Sequence, residues 1–185
     1  RLGYPLSERW RQSLRLRGER NEITDVQTNA SRFIRAQAGQ RDTFAVSQRL
    51  TYDSRDSTLF PTDGWYYWLD SELAGLGGDA KYVSGKTGAS YYYPVFEQVI
   101  FNLIGEVGGI SGYDDEDVRI NERFFLGGSK LRGFENAGVG PRDSVSNDSL
   151  GGNYFYRNDC CELDLVSFSE LKTVNLCNCS KIINS

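Results

Sequence analysis

The feature that most constrains this chain is a period-two alternation sustained over unusually long runs. From Trp10 to Glu19, even positions read Trp, Gln, Leu, Leu, Gly and odd positions read Arg, Ser, Arg, Arg, Glu. Successive side chains of a strand point to opposite faces, so this is a strand with one apolar and one charged face. Phe44 to Asp53 repeats the pattern, with Phe44, Val46, Leu50 and Tyr52 opposite Ser47, Arg49, Thr51 and Asp53. In Trp65 to Gly75, Trp65, Tyr67, Leu69 and Leu73 oppose Asp70 and Glu72. In Lys81 to Tyr93, Val83, Ala89, Tyr91 and Tyr93 oppose Ser84, Lys86 and Ser90. In Val99 to Gly109, Val99, Phe101, Leu103 and Val107 oppose Asn102 and Glu106, and a sixth strand starts at Asn153-Tyr154-Phe155-Tyr156.

Strands of soluble proteins run to about 5–6 residues. Runs of about ten or more with alternating character, split by turns, are the signature of a membrane barrel. The expected fold is therefore all-β: an antiparallel transmembrane barrel segment of about six long strands. The apolar face meets lipid and the charged face meets a wet lumen. Inverting the first strand would put Arg11, Arg15 and Arg17 into lipid, at roughly 6–12 kcal/mol in total. A soluble β-sandwich with its apolar face buried is the competing reading. Against it stand the Trp65–Trp68 and Tyr91–Tyr93 clusters, which a hairpin brings to neighbouring heights as in an interfacial aromatic girdle.

The turns alternate in length. Leu59 to Gly64 and Pro94 to Gln98 are tight, with Pro and Gly punctuation in the first. Asp25 to Gln40, Gly77 to Ala80 and a long segment from Gly112 to Gly152 lie on the opposite side. Outer-membrane barrels place short turns in the periplasm and long loops outside.

Composition narrows the chemistry. The chain has 185 residues, no His and no Met, and a net charge of −4. Zero His removes the commonest general base and metal ligand, so an enzyme, an outer-membrane lipase or protease among them, is not expected. Neither cofactor nor metal is expected, and no basic surplus is present to hold nucleic acid. Composition also breaks near Asp159. Cys160, Cys161, Cys177 and Cys179 are the four cysteines, and all sixteen arginines precede them. Cys177-x-Cys179 is too tight for common zinc spacings. Residues 159–185 are read as an atypical tail, not native barrel sequence, joined to a partial barrel over 1–158 that includes the loop 112–152. The tail is expected to pack poorly and not to extend the sixth strand for its full length.

The long loop holds Arg123-Phe124-Phe125-Leu126-Gly127-Gly128, then Leu131-Arg132-Gly133-Phe134 and Gly140-Pro141-Arg142. Tyr52 to Asp56, Phe60 to Gly64 and Leu150 to Asn153 add further motifs. With these residues the chain resembles the BamA family of outer-membrane assembly factors, within the wider superfamily that includes two-partner secretion transporters. Leu131 stands where that family usually has Val. The resemblance implies an internal section, roughly strands seven to twelve, of a sixteen-stranded barrel preceded by POTRA domains, open as a fragment. It implies a bacterial outer-membrane location and a role in assembling and inserting β-barrel proteins. Nascent barrel proteins, assembly-complex lipoproteins and outer-membrane lipid are the implied partners. It also implies that the loop tucks into the lumen with Arg132 near an acidic wall residue. Glu162 is the best-placed partner, one residue late, and Glu106, Asp70 and Glu72 are the other candidates. Phe134 is expected to anchor the loop against the wall.

Other readings remain at this stage. A two-partner secretion pore would share the R-G-F motif. A small structural or adhesin barrel would need at least eight strands. Gly127 to Lys130 lacks Walker spacing, and Asp114 to Asp117 lacks the spacing of an EF-hand and reads as a solvated acidic loop. Asp53, Arg55 and Asp56 read as a turn-stabilising network. Asn29-Ala30-Ser31 and Asn147-Asp148-Ser149 match glycosylation triplets that mean little in a bacterium.

Overall fold

A computed structural model describes the chain except for residues 28, 97–98, 129–130, 132–133, 168–169 and 184–185; from residue 158 onward only the backbone is described. Eight strands form one antiparallel sheet in sequence order. They are β1 (Leu2–Pro5), β2 (Trp10–Ile23), β3 (Gly39–Asp53), β4 (Gly64–Ala74), β5 (Tyr82–Phe96), β6 (Val99–Gly112), β7 (Tyr154–Ser167) and β8 (Glu170–Ile183). Every neighbour in the sheet is a neighbour in sequence, and β1 and β8 are its open edges. No helix among the described residues is long and apolar enough to cross a membrane.

Two strands exceed the six expected. β1 is a four-residue strand ahead of the first alternating run, too short to show a period. β8 lies in the tail. The expectation that the tail would not extend the sixth strand for its full length is corrected: β7 runs to Ser167, and β7 and β8 pair along their length, from Tyr154 opposite Ile183 to Ser167 opposite Glu170. The backbone ladder needs only N–H and C=O groups, so it tolerates the change in residue usage that the tail displays.

The faces follow the alternation. In β4, residues 65, 67, 69, 71 and 73 are exposed and their neighbours are partly covered. The exposed outer face carries Leu16, Phe44, Leu69, Leu73, Val83 and Val107. Near the short-turn edge it carries a ladder of rings. Trp10 lies 5.1 Å from Tyr52, Tyr52 lies 6.1 Å from Tyr67, and Trp65 lies 5.4 Å from Tyr67 and 4.2 Å from Tyr91. Four strands thus share one aromatic belt at one height, as an interfacial girdle requires.

The enclosed core lies on the inner face, between the sheet and the long loop. It joins Ala45, Ala74, Tyr82, Ile110 and Phe155 of the strands to Val118, Phe124 and Leu126 of the loop. Two glycines on this face make room for rings on the adjacent strand. A Cβ on Gly88 would lie 2.7 Å from the Trp68 indole, and one on Gly108 would lie 2.4 Å from Phe155. Each glycine sits directly opposite its aromatic partner.

Candidate inner-wall and loop site

The inner wall is a ladder of ion pairs, each set by strand register. Arg17 on β2 reaches across β3 to Glu72 on β4 at 2.7 Å and also meets Glu19 at 2.9 Å. Tyr82 on β5 donates its hydroxyl to the same Glu72 oxygen at 2.7 Å, and Arg17 donates to the Tyr82 oxygen. Arg49 pairs with Asp70 at 3.3 Å and lies over the Trp68 ring. Glu106 lies 3.6 Å from Arg157. The three described carboxylates nominated as wall partners for Arg132 are therefore each engaged by a strand-borne cation. Arg132 and Gly133 lie outside the described residues, as does the Glu162 side chain, whose backbone position is opposite Asn102.

Two clefts that share Arg15, Glu72 and Lys86 as lining lie along this wall. One, of about 330 Å³, is lined by Arg15, Arg49, Asp70, Glu72 and Lys86 among others. The next, of about 310 Å³, passes beneath the loop between Arg17, Tyr82, Glu122 and Phe124. Burial pushes the Glu122 carboxyl above its ordinary range, against the pull of Arg41 and Arg17, and its Oε2 is buried without a hydrogen-bond partner among the described residues.

The loop is fixed to the wall by its first half. Arg123 donates from Nε to the Val118 carbonyl at 3.1 Å. Phe124 exchanges two backbone hydrogen bonds of 2.9 Å with Gly152, closing the base of the loop. Its ring lies 4.8 Å from Phe155 and 5.1 Å from the Lys86 ammonium. Phe125 lies against Gly151. Leu126 and Leu131 are buried.

The ring that anchors the loop to the described wall is thus Phe124, whereas Phe134 is 52% exposed in this section. Gly127 and Gly128 explain the difference. Both have positive φ, at 132° and 60°, a conformation glycine adopts freely. Here the chain turns so tightly that a Cβ on Gly127 would lie 1.9 Å from the Glu135 carbonyl, and one on Gly128 1.8 Å from Asn136. The turn places residues 134–138 beside the glycines, with Gly128 N–H donating to the Phe134 carbonyl at 2.9 Å.

The return arm runs from Val139, which bridges to Leu126, through Gly140, Pro141 and Arg142. The Pro141 carbonyl accepts from Leu150 N–H at 2.9 Å, and Arg142 donates to the Asn147 carbonyl at 3.0 Å. Acidic residues at the start of the loop are anchors. Glu116 pairs at 3.2 Å with Arg41, which is buried, and Asp114 pairs at 3.0 Å with Lys81, whose ammonium it holds above the usual lysine range.

Sequence reasoning gave no internal structure to the loop between β2 and β3, which it placed at Asp25 to Gln40. The loop contains a short helix, α1 (Arg32–Ala36), capped by Ser31. Ser31 N–H donates to Asp148 at 2.7 Å, and its hydroxyl donates to Asp143. The Asp143 carboxyl is thereby held below its ordinary range, with the Val145 N–H adding to the effect. The available signal was a serine directly before a short apolar-containing run, the usual mark of a helix start.

At the opposite edge of the sheet, Asp53 and Arg55 form a two-pronged pair with both contacts at 2.9 Å. Asp56 accepts from Ser57 and Thr62 N–H at 2.9 Å, from Asp63 N–H at 3.2 Å and from the Thr62 hydroxyl. These bonds, the Thr62 hydroxyl first, bring its pKa down to about 2.

Comparison with known proteins places this arrangement. The chain is 36% identical over 136 residues to the outer membrane protein assembly factor BamA of Neorickettsia risticii, covering 73% of this chain and 18% of that protein. It is 32% identical over 140 residues to a SAM50-like protein of Schizosaccharomyces pombe, covering 72% of this chain and 29% of that one. It therefore spans less than a third of the length of either. The crystal structure of BamA from Haemophilus ducreyi lacking POTRA domains 1–3 superposes with a TM-score of 0.75 at 18% identity, over 98% of this chain and 40% of that one. That likeness establishes the fold as a section of such a barrel, open along both edges. Residues 1–158 match the Omp85 superfamily domain, and the chain belongs to that superfamily.

Proposed function

We propose that this chain is a section of an outer-membrane barrel that assembles and inserts β-barrel proteins into the bacterial outer membrane. The observation that carries the reading is the combination of an aromatic-belted outer face with a loop bearing R-F-F-L-G-G held on the inner face. The 36% identity to a protein named as an assembly factor supports it. The physical task explains the absence of His. An incomplete strand edge in lipid leaves backbone groups unpaired at several kcal/mol each. Templated strand addition relieves that cost without covalent chemistry, so no enzyme activity and no cofactor are invoked. The partners on this reading are nascent barrel proteins, the lipoproteins of an assembly complex and outer-membrane lipid. The section described supplies wall and internal loop. Residues 159–185, beyond the family match, are proposed not to be native barrel sequence even though their backbone pairs as a strand.

The test is reconstitution of the full-length protein carrying this section into vesicles. A labelled barrel client should gain its folded, heat-modifiable mobility faster with the protein than in empty vesicles. A variant in which a short linker replaces residues 120–150 should lose most of that gain. Equal rates in all three preparations would refute the reading.

A further inference from the structure

We infer that Ser31 is the positioning residue of the long loop, and that the β2–β3 loop and the long loop are locked as one unit through it. Ser31 is 1% exposed, the largest side chain so completely enclosed among the described residues. Its single hydroxyl has two tasks. The oxygen accepts from Phe33 N–H at 3.2 Å and caps α1, while its proton goes to Asp143. The Ser31 N–H goes to Asp148 at 2.7 Å. Both acceptors lie on the return arm of the long loop, more than a hundred residues away.

That arm is otherwise closed largely on itself. The second Asp143 oxygen accepts from Val145 N–H at 2.9 Å, the same Asp148 oxygen accepts from the Ser146 hydroxyl at 2.9 Å, and Asn147 N–H donates to the Asp143 carbonyl at 2.9 Å. Among the described residues its ties outward are Ser31 and the Leu126–Val139 bridge to the first half of the loop, while the Pro141–Leu150 bond closes the arm's own base. A second tie lies at the other end of the loop, where the Gln37 side-chain carbonyl accepts from Ile120 N–H at 2.8 Å. The β2–β3 loop therefore grips the long loop at its entry and at its return arm, with the R-F-F-L-G-G segment between. For the long loop to leave the wall, the β2–β3 loop must release it.

Capping and locking can be separated, because they ask opposite things of residue 31. A helix cap needs an acceptor, which Asp supplies as well as Ser. The lock needs a side-chain donor facing the Asp143 carboxylate, which Asp does not supply, while the backbone N–H to Asp148 is kept in every variant. In the full-length protein in detergent micelles, Ser31→Asp and Ser31→Ala should each speed tryptic cleavage after the exposed Arg142 about ten- to hundredfold, the range for losing a hydrogen bond to a charged group. Heat-modifiable mobility, which reads the barrel wall, should be unchanged in both. Adding Asp143→Asn to Ser31→Asp restores a donor opposite a carboxylate and should return cleavage most of the way to the native rate. Native cleavage in the Ser31→Asp variant, or equal cleavage in the single and double variants, would reduce Ser31 to a helix cap and overturn the lock.

Discussion

The outer and inner faces of the sheet are built from the same strands, yet they are specified in different ways. The outer face asks only for apolar side chains at alternate positions and rings at one height. Leu69 could exchange with Val or Ile there, because lipid makes no demand on shape. The inner face is particular. Arg17, Glu72 and Tyr82 come from three strands and meet on one carboxylate oxygen, so a one-residue slip of any of them would break the group. The same slip would also turn the outer leucines inward. One face sets which way each strand points, and the other sets which residue pairs with which.

Four experiments would break or sharpen this contrast. The largest effect is expected for Leu69→Arg on the outer face, at about 2–4 kcal/mol near the bilayer midplane. In the full-length protein it should appear as loss of the folded band in heat-modifiability gels, while Leu69→Ile should be silent. A tolerated arginine would show that this face does not meet lipid. Next comes Gly88→Ala on the inner face, where the added methyl meets the Trp68 ring at 2.7 Å. The ring must move and Arg49 loses its stacking partner. Overpacking of this kind costs about 1–3 kcal/mol, readable as a lower urea midpoint and altered tryptophan fluorescence.

Arg17→Met should cost about 1–2 kcal/mol, between the values for exposed and buried pairs. A double-mutant cycle with Glu72→Gln should recover about 1 kcal/mol of coupling. Zero coupling would make the inner ladder decorative.

The smallest effect belongs to neither face. Asp56 has its folded pKa lowered to about 2 from an ordinary 3.8. Its contribution is therefore fully present above about pH 4 and is lost as pH falls through 2. Amide exchange at Thr62 and Asp63, corrected for intrinsic rates, should show less protection at pH 2 than at pH 5. Asp56→Asn should remove that difference.

The outer face was legible because its rule is local. Trp65, Tyr67, Leu69 and Leu73 announce their face within one strand, and the structure keeps it. The inner pairs were not legible. Arg17 has Glu19 in its own strand and Glu72 fifty-five residues away, and nothing in either segment says that both will meet it. In the loop, the motif located the segment but not the ring that meets the described wall. Phe124 and Phe134 are equally aromatic, and only the turn at Gly127-Gly128 decides which one faces Phe155. Ser31 was hidden because a three-residue pattern matching a modification triplet drew attention away from its place as a helix cap. The strand pairing of the tail was missed for the opposite reason. Its cysteines and missing arginines speak about side chains, whereas pairing with β7 is a property of the backbone.

The placement of the enclosed core between wall and loop also bears on the order in which the molecule forms. Strands joined in a meander can add one hairpin at a time, each closing a modest stretch of chain. The Ser31–Asp148 contact spans 117 residues, and the entropy of closing a stretch of chain rises with its length. That cost becomes bearable only after β3 to β7 have already drawn the two loops together. Contacts of such range slow folding when they must form early. On this cost alone the wall is expected to assemble first as a series of local steps, with the loop settling afterwards onto a surface that already exists.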